Sequence, residues 1–71
     1  MAEAEVVNYG ADNWERLKFF LVERKTTLNA DQLKALNIAI KLPYKIPNSY
    51  QAKLLIELRD KALDDGFKKE I

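Results

Sequence analysis

Two prolines, Pro43 and Pro47, stand in the stretch KLPYKIPNSYQ (residues 41–51), and the chain has no others. Proline has no amide hydrogen to give a helix and pushes the residue before it away from helical angles, so a helix arriving at Leu42 stops there. Apolar residues recur at helical spacing on both sides of the stretch. The centre of the fold is therefore expected to be a helix, a stiff corner and a second helix.

The helix before the corner has the clearest start signal in the chain. In LNADQL, Asn29 is placed as the N-cap and Gln32 follows three residues later, so that each side chain can satisfy the other's backbone amide, with Leu28 and Leu33 flanking the pair as a staple. Leu33, Leu36 and Ile40 make the main apolar stripe; Ala35, Ala39 and Leu42 widen it, and Lys34, Asn37 and Lys41 form the polar strip. The helix after the corner is expected to begin at Asn48 or Ser49 and to continue to about Asp65, where Gly66 supplies a stop. Leu54, Leu55, Leu58 and Ala62 would face the core, with Ile56 and Leu63 at the edge and Lys53, Glu57 and Lys61 pairing along the exposed side.

An earlier helix should start near Asp12 or Asn13 and run to about Lys25, with Trp14, Leu17 and Leu21 on its core stripe and Phe20 beside them. Residues 1–11 show no helical period and contain Gly10, so they are expected as a flexible or extended N-terminal arm ahead of a three-helix domain spanning residues 12–71. The fold class is all-α: a small three-helix bundle with a short extended N-terminal arm.

At 71 residues, one domain is near the lower limit for a core that holds itself together without a staple. Absence of both cysteine and histidine excludes disulfides, cysteine nucleophiles, histidine acid-base chemistry and the usual zinc ligand sets. The acidic amino terminus lacks the basic start and apolar run of a signal peptide, and no segment approaches the ~20 apolar residues that span a bilayer. A cytoplasmic protein with no membrane role is expected. Charge is unevenly spread: residues 1–15 carry −4, residues 16–53 carry +6 and residues 54–71 carry −1, giving the net +1.

Few residues offer chemistry. Asp60, Asp64 and Asp65 crowd a helix end without a ligand loop, and the two glycines, Gly10 and Gly66, belong to no phosphate-cradling motif. No enzyme, catalytic residue, metal or cofactor is expected. Each helix instead carries more apolar arc than a minimal bundle needs, which leaves Phe19, Val22, Ile38 and Ile56 over. These residues point to a small non-catalytic regulatory or protein-interaction module that docks on a larger protein through an apolar patch rimmed by basic residues. Phe19, Val22, Lys41, Tyr44 and Lys45 are the candidate contacts. Tyr44 is left open in direction, whereas Ile46 is expected to fold inward and cover the corner.

Two alternatives come from other classes. In a small helix-turn-helix DNA-binding regulator, Ser49, Tyr50 and Lys53 would lie at the amino end of the reading helix. Against it, the corner is longer than the usual three- or four-residue turn, lacks glycine, and belongs to a nearly neutral chain. In a helical homo-oligomeric structural protein, the extra apolar arcs would pack against other copies, a route by which so small a chain gains stability.

Overall fold

The structure, a computed structural model, describes residues 1–68. Its helices are α1 (Ala2–Tyr9), α2 (Ala11–Glu23), α3 (Ala30–Ala39) and α4 (Ser49–Asp64), and no strand occurs among the described residues. The all-α expectation holds, but the described residues form four helices where three were expected. Residues 1–11 are the point of difference: they contain α1 in place of an extended arm.

Helix starts follow local side-chain chemistry. At α3, Asn29 Oδ1 accepts from the Gln32 amide at 2.8 Å and Gln32 Oε1 accepts from the Asn29 amide at 3.0 Å, which is the reciprocal cap read from the sequence. The same device, unforeseen, recurs at α4, where Asn48 and Gln51 exchange bonds of the same lengths, 2.8 and 3.0 Å. That fixes Asn48 as the cap and Ser49 as the first helical residue.

Helix ends are as well defined. At the end of α4 the Phe67 amide bonds back to the Ala62 carbonyl at 2.9 Å and the Gly66 amide to Leu63 at 3.3 Å, closing the last turn with Gly66 at φ 106°. This wrap turns Phe67 onto the core, where its ring meets Phe20 at 5.2 Å. Helix α2 ends in the same way, with Thr26 bonding to Leu21 and Lys25 to Val22, both at 3.0 Å, but the residue at positive φ there is Lys25. Helix α3 ends at Ala39, earlier than Pro43 requires, as the amides of Lys41 and Leu42 reach back only three residues, to Ile38 and Ala39.

The core gathers around Trp14, which is fully buried along with Val6, Leu17, Leu36 and Leu55. Helix α4 packs against the other three, and α2 against α1 and α3. Gly10, at φ 90°, is the single residue between α1 and α2, and it folds α1 back so that the Trp14 Nε1–H donates to the Val6 carbonyl at 2.9 Å. Trp14 thereby satisfies its one donor while its ring packs at 4.6 Å against the tilted ring of Tyr9. Arg59 on α4 locks the outer side of α1, pairing with Glu5 while its guanidinium lies 5.3 Å from the Tyr9 ring.

On α3 and the turn after it, the core face is centred on the residues expected to widen the stripe, and Leu33 falls off it. Ala35, Leu36, Ala39 and Leu42 are buried, Ile40 is half-buried and Leu33 is exposed. Small side chains explain the shift: Ala35 and Ala39 on α3, like Ala52 on α4, have no exposed surface and allow close packing of the helices that carry them. Core positions on α4 are Ala52, Leu55, Leu58 and Ala62, whereas Leu54 and Ile56 are half-buried and Leu63 is exposed.

Candidate functional site

The corner between α3 and α4, residues 40–48, has one inward and one outward side. Short backbone bonds shape its first half: the Tyr44 amide donates to the Lys41 carbonyl at 2.9 Å and the Lys45 amide to the same oxygen at 3.3 Å. The Leu42–Pro43 peptide bond is cis. Two residues anchor the segment, Leu42 before the turn and Pro47 after it, and both are buried. Between them Tyr44 is 92% exposed and Ile46 is 64% exposed, with Lys41 and Lys45 exposed beside them.

This settles the direction of Tyr44, which is outward, and corrects the expectation for Ile46. Pro47 is the buried residue on this side of the corner, and Ile46 beside it faces solvent. Lys41, Tyr44 and Lys45 are thus brought together on one short segment, with Ile46 as an unforeseen neighbour.

Phe19 and Val22 lie elsewhere, three residues apart on the outer side of α2, where they are 62% and 57% exposed. Among the described residues no hydrogen bond or ring contact joins them to the corner. Their closest structural relation is to α3. Lys18 Nζ donates to Asn37 Oδ1 at 2.7 Å across the α2–α3 hairpin, and one turn toward the connecting loop from each lie Val22 and the exposed Leu33. On its other side Phe19 borders an open cleft of about 400 Å³ shared with Arg16, Phe20, Glu23 and Phe67. The five candidate contacts therefore fall into two groups, an aliphatic and aromatic strip on α2 and a basic aromatic corner. Leu33 is an exposed residue that the sequence reading placed in the core, and its only local signal is its position off the side that carries Ala35 and Ala39.

The three DNA-binding candidates sit at the start of α4 as expected, in acidic company. Ser49 donates its hydroxyl to the Glu3 carboxylate of α1, and the Tyr50 hydroxyl donates to Asp31 Oδ2 at 3.0 Å. The Ser49 bond, chiefly, holds the Glu3 carboxyl below the usual carboxylate range, with the Lys53 charge contributing less. Donation to Asp31, reinforced by the Asp31 charge, raises the Tyr50 phenol. Arg59 feels opposite effects: burial disfavours its charge, yet hydrogen bonds to Glu5 and Asp60 outweigh burial and hold it firmly protonated.

Neither a group of metal-binding side chains nor a helix long and apolar enough to cross a membrane occurs among the described residues. In comparisons with known proteins, no family model, curated protein or solved structure matches the chain.

Proposed function

We propose that the chain is a small non-catalytic regulatory module that docks on a larger protein, with the α3–α4 corner as its principal contact. One observation carries the reading: Tyr44 projects almost wholly into solvent from a segment held at both ends by buried residues. A monomer gains little from placing a tyrosine there, since the ring forfeits its apolar burial. A binding surface gains more, because an aromatic side chain on a segment held at both ends loses little freedom when it meets a partner. Tyrosine is among the residues that most often anchor interfaces, and Ile46 extends the apolar area while Lys41 and Lys45 form its polar rim. Phe19, Val22 and Leu33 on the α2–α3 side offer a second contact region for a partner large enough to reach both.

Helix-turn-helix readout of DNA has less support. Glu3 and Asp31 place carboxylates beside Ser49 and Tyr50, where an approaching phosphate backbone would be repelled. Self-assembly through the exposed apolar side chains alone leaves the exposed lysines of the corner without a role.

The test is a pair of variants read for binding and for folding. Tyr44→Ala is expected to weaken capture of the partner from the native host by roughly 30-fold, as befits an interface anchor worth about 2 kcal/mol. The helical circular dichroism should be unchanged, and stability should stay within about 0.5 kcal/mol. Capture that is indifferent to Tyr44→Ala, with the fold intact, rejects the corner as the contact.

A further inference from the structure

We infer that the partner of the α3–α4 corner is a protein that presents an acidic segment bearing at least one apolar side chain. The inference rests on the docking reading above and adds the chemistry of the occupant. Residues 32–56 contain no aspartate or glutamate, yet they contain Lys34, Lys41, Lys45 and Lys53. Lys41 and Lys45 are exposed at the corner, and neither is in an ion pair among the described residues.

Internal neutralisation of the corner is weak. Glu3 and Asp31 keep their charge beneath the neutral Ser49 and Tyr50 hydroxyls, but Lys53 acts on Glu3 and Lys34 shares a cleft with Asp31, so these two acids are offset by lysines other than Lys41 and Lys45; Asp60 is paired with Arg59 at 3.0 Å. Along α4, Glu57 lies roughly 14 Å from Asn48 at 1.5 Å per residue, and Asp60 and Asp64 roughly 18 Å or more. All three lie beyond the screening length of roughly 8 Å at physiological salt, so they cancel the lysines only in part. Each outward feature then has a complement: Tyr44 and Ile46 call for apolar contact, and the flanking lysines call for carboxylates around it. Nucleic acid satisfies only the lysines, and a neutral or basic protein only the apolar pair.

The experiment titrates the full chain with synthetic peptides. One peptide is rich in glutamate with a leucine and a phenylalanine four residues apart; the second replaces every glutamate by lysine, the third replaces them by serine, and duplex DNA serves as the further probe. The acidic peptide is expected to bind, and its affinity to fall about tenfold or more with Tyr44→Ala, with Lys41→Glu combined with Lys45→Glu, and on passing from low to high salt. Equal binding of the serine or lysine peptide, still dependent on Tyr44, overturns the acidic assignment and leaves the docking reading standing. No Tyr44-dependent binding of the acidic peptide also overturns the assignment, and photo-crosslinking from position 44 in the host then decides the docking reading separately. DNA binding that depends on the lysines and not on Tyr44 overturns both. Lysine-dependent self-association in sedimentation, abolished by Asp60→Lys with Asp64→Lys, makes the occupant a second copy and overturns the separate partner.

Discussion

Lys25 occupies the position that Gly66 occupies at the other wrapped helix end, and the two show what a side chain costs there. Both have positive φ, 56° for Lys25 and 106° for Gly66, in the region that a Cβ disfavours. Lys25→Gly should relieve a strain of about 1 kcal/mol and lose roughly half of it to the greater freedom of glycine in the unfolded chain. The expected outcome is a gain of about 0.5 kcal/mol in a urea titration, with the helix content unchanged; an equal loss would mean that the lysine stem contributes packing that outweighs the strain. Tyr9 offers a test of a different kind. Burial raises its phenol above the usual 10.0, partly opposed by the nearby charges of Arg59 and Arg16. A raised folded pKa contributes stability that is complete below the unfolded value and is lost as pH rises through the folded one. Stability should therefore decline above about pH 10, and Tyr9→Phe should flatten that decline. An identical alkaline profile in Tyr9→Phe would remove Tyr9 from the account.

Between neighbouring elements, the legible features were those written in a few consecutive residues. The Asn29–Gln32 cap and the Gly66 stop were read correctly because a cap is local chemistry, complete within four or five positions. On α3 the expected apolar face holds at Ala35, Leu36 and Ala39, but its centre lies on the alanines expected only to widen it, and Leu33, expected on the main stripe, is exposed. Which side of an amphipathic helix is buried depends on what approaches it, and close packing through alanines is a property of two helices together. The restart at Asn48 or Ser49 was legible and the stop was placed three residues late, at Leu42 where α3 ends at Ala39; the outward direction of Tyr44 and Ile46 goes with the burial of Leu42 and Pro47, which no local rule fixes. The cap at α4 yields a prediction at this scale. Asn48→Ala should cost about 1 kcal/mol. Gln51→Ala added to it should cost distinctly less than it does alone, because the two side chains form one reciprocal unit. Strict additivity in a thermal unfolding series would show that the caps act independently.

At the scale of the whole molecule, the relation of α1 to the rest matters most. AEAEVVNY covers little more than two turns, too short for a helical period to show, and an isolated helix of that length is marginal in water. Tertiary contact makes it a helix: Val6 and Tyr9 are buried, the Val6 carbonyl takes the Trp14 indole hydrogen, and Glu3 and Glu5 meet Ser49 and Arg59 on α4. The links from Glu3 and Glu5 lie at the surface, where solvent screens them, so apolar burial around Trp14, with its buried indole hydrogen bond, carries most of the attachment. Acid should loosen the polar part, because the lowered Glu3 pKa means stability present above the ordinary carboxylate value and lost as pH falls through the folded one. Removing residues 1–9 is the stronger test. It exposes the Trp14 ring and removes the carbonyl that its N–H meets, a loss of several kcal/mol in a domain whose total stability is of order 5 kcal/mol. The truncated chain is expected to show red-shifted tryptophan emission and a broad or absent unfolding transition. If it unfolds at the full chain's midpoint with unshifted emission, α1 is an appendage, and the core is closed by α2, α3 and α4 alone.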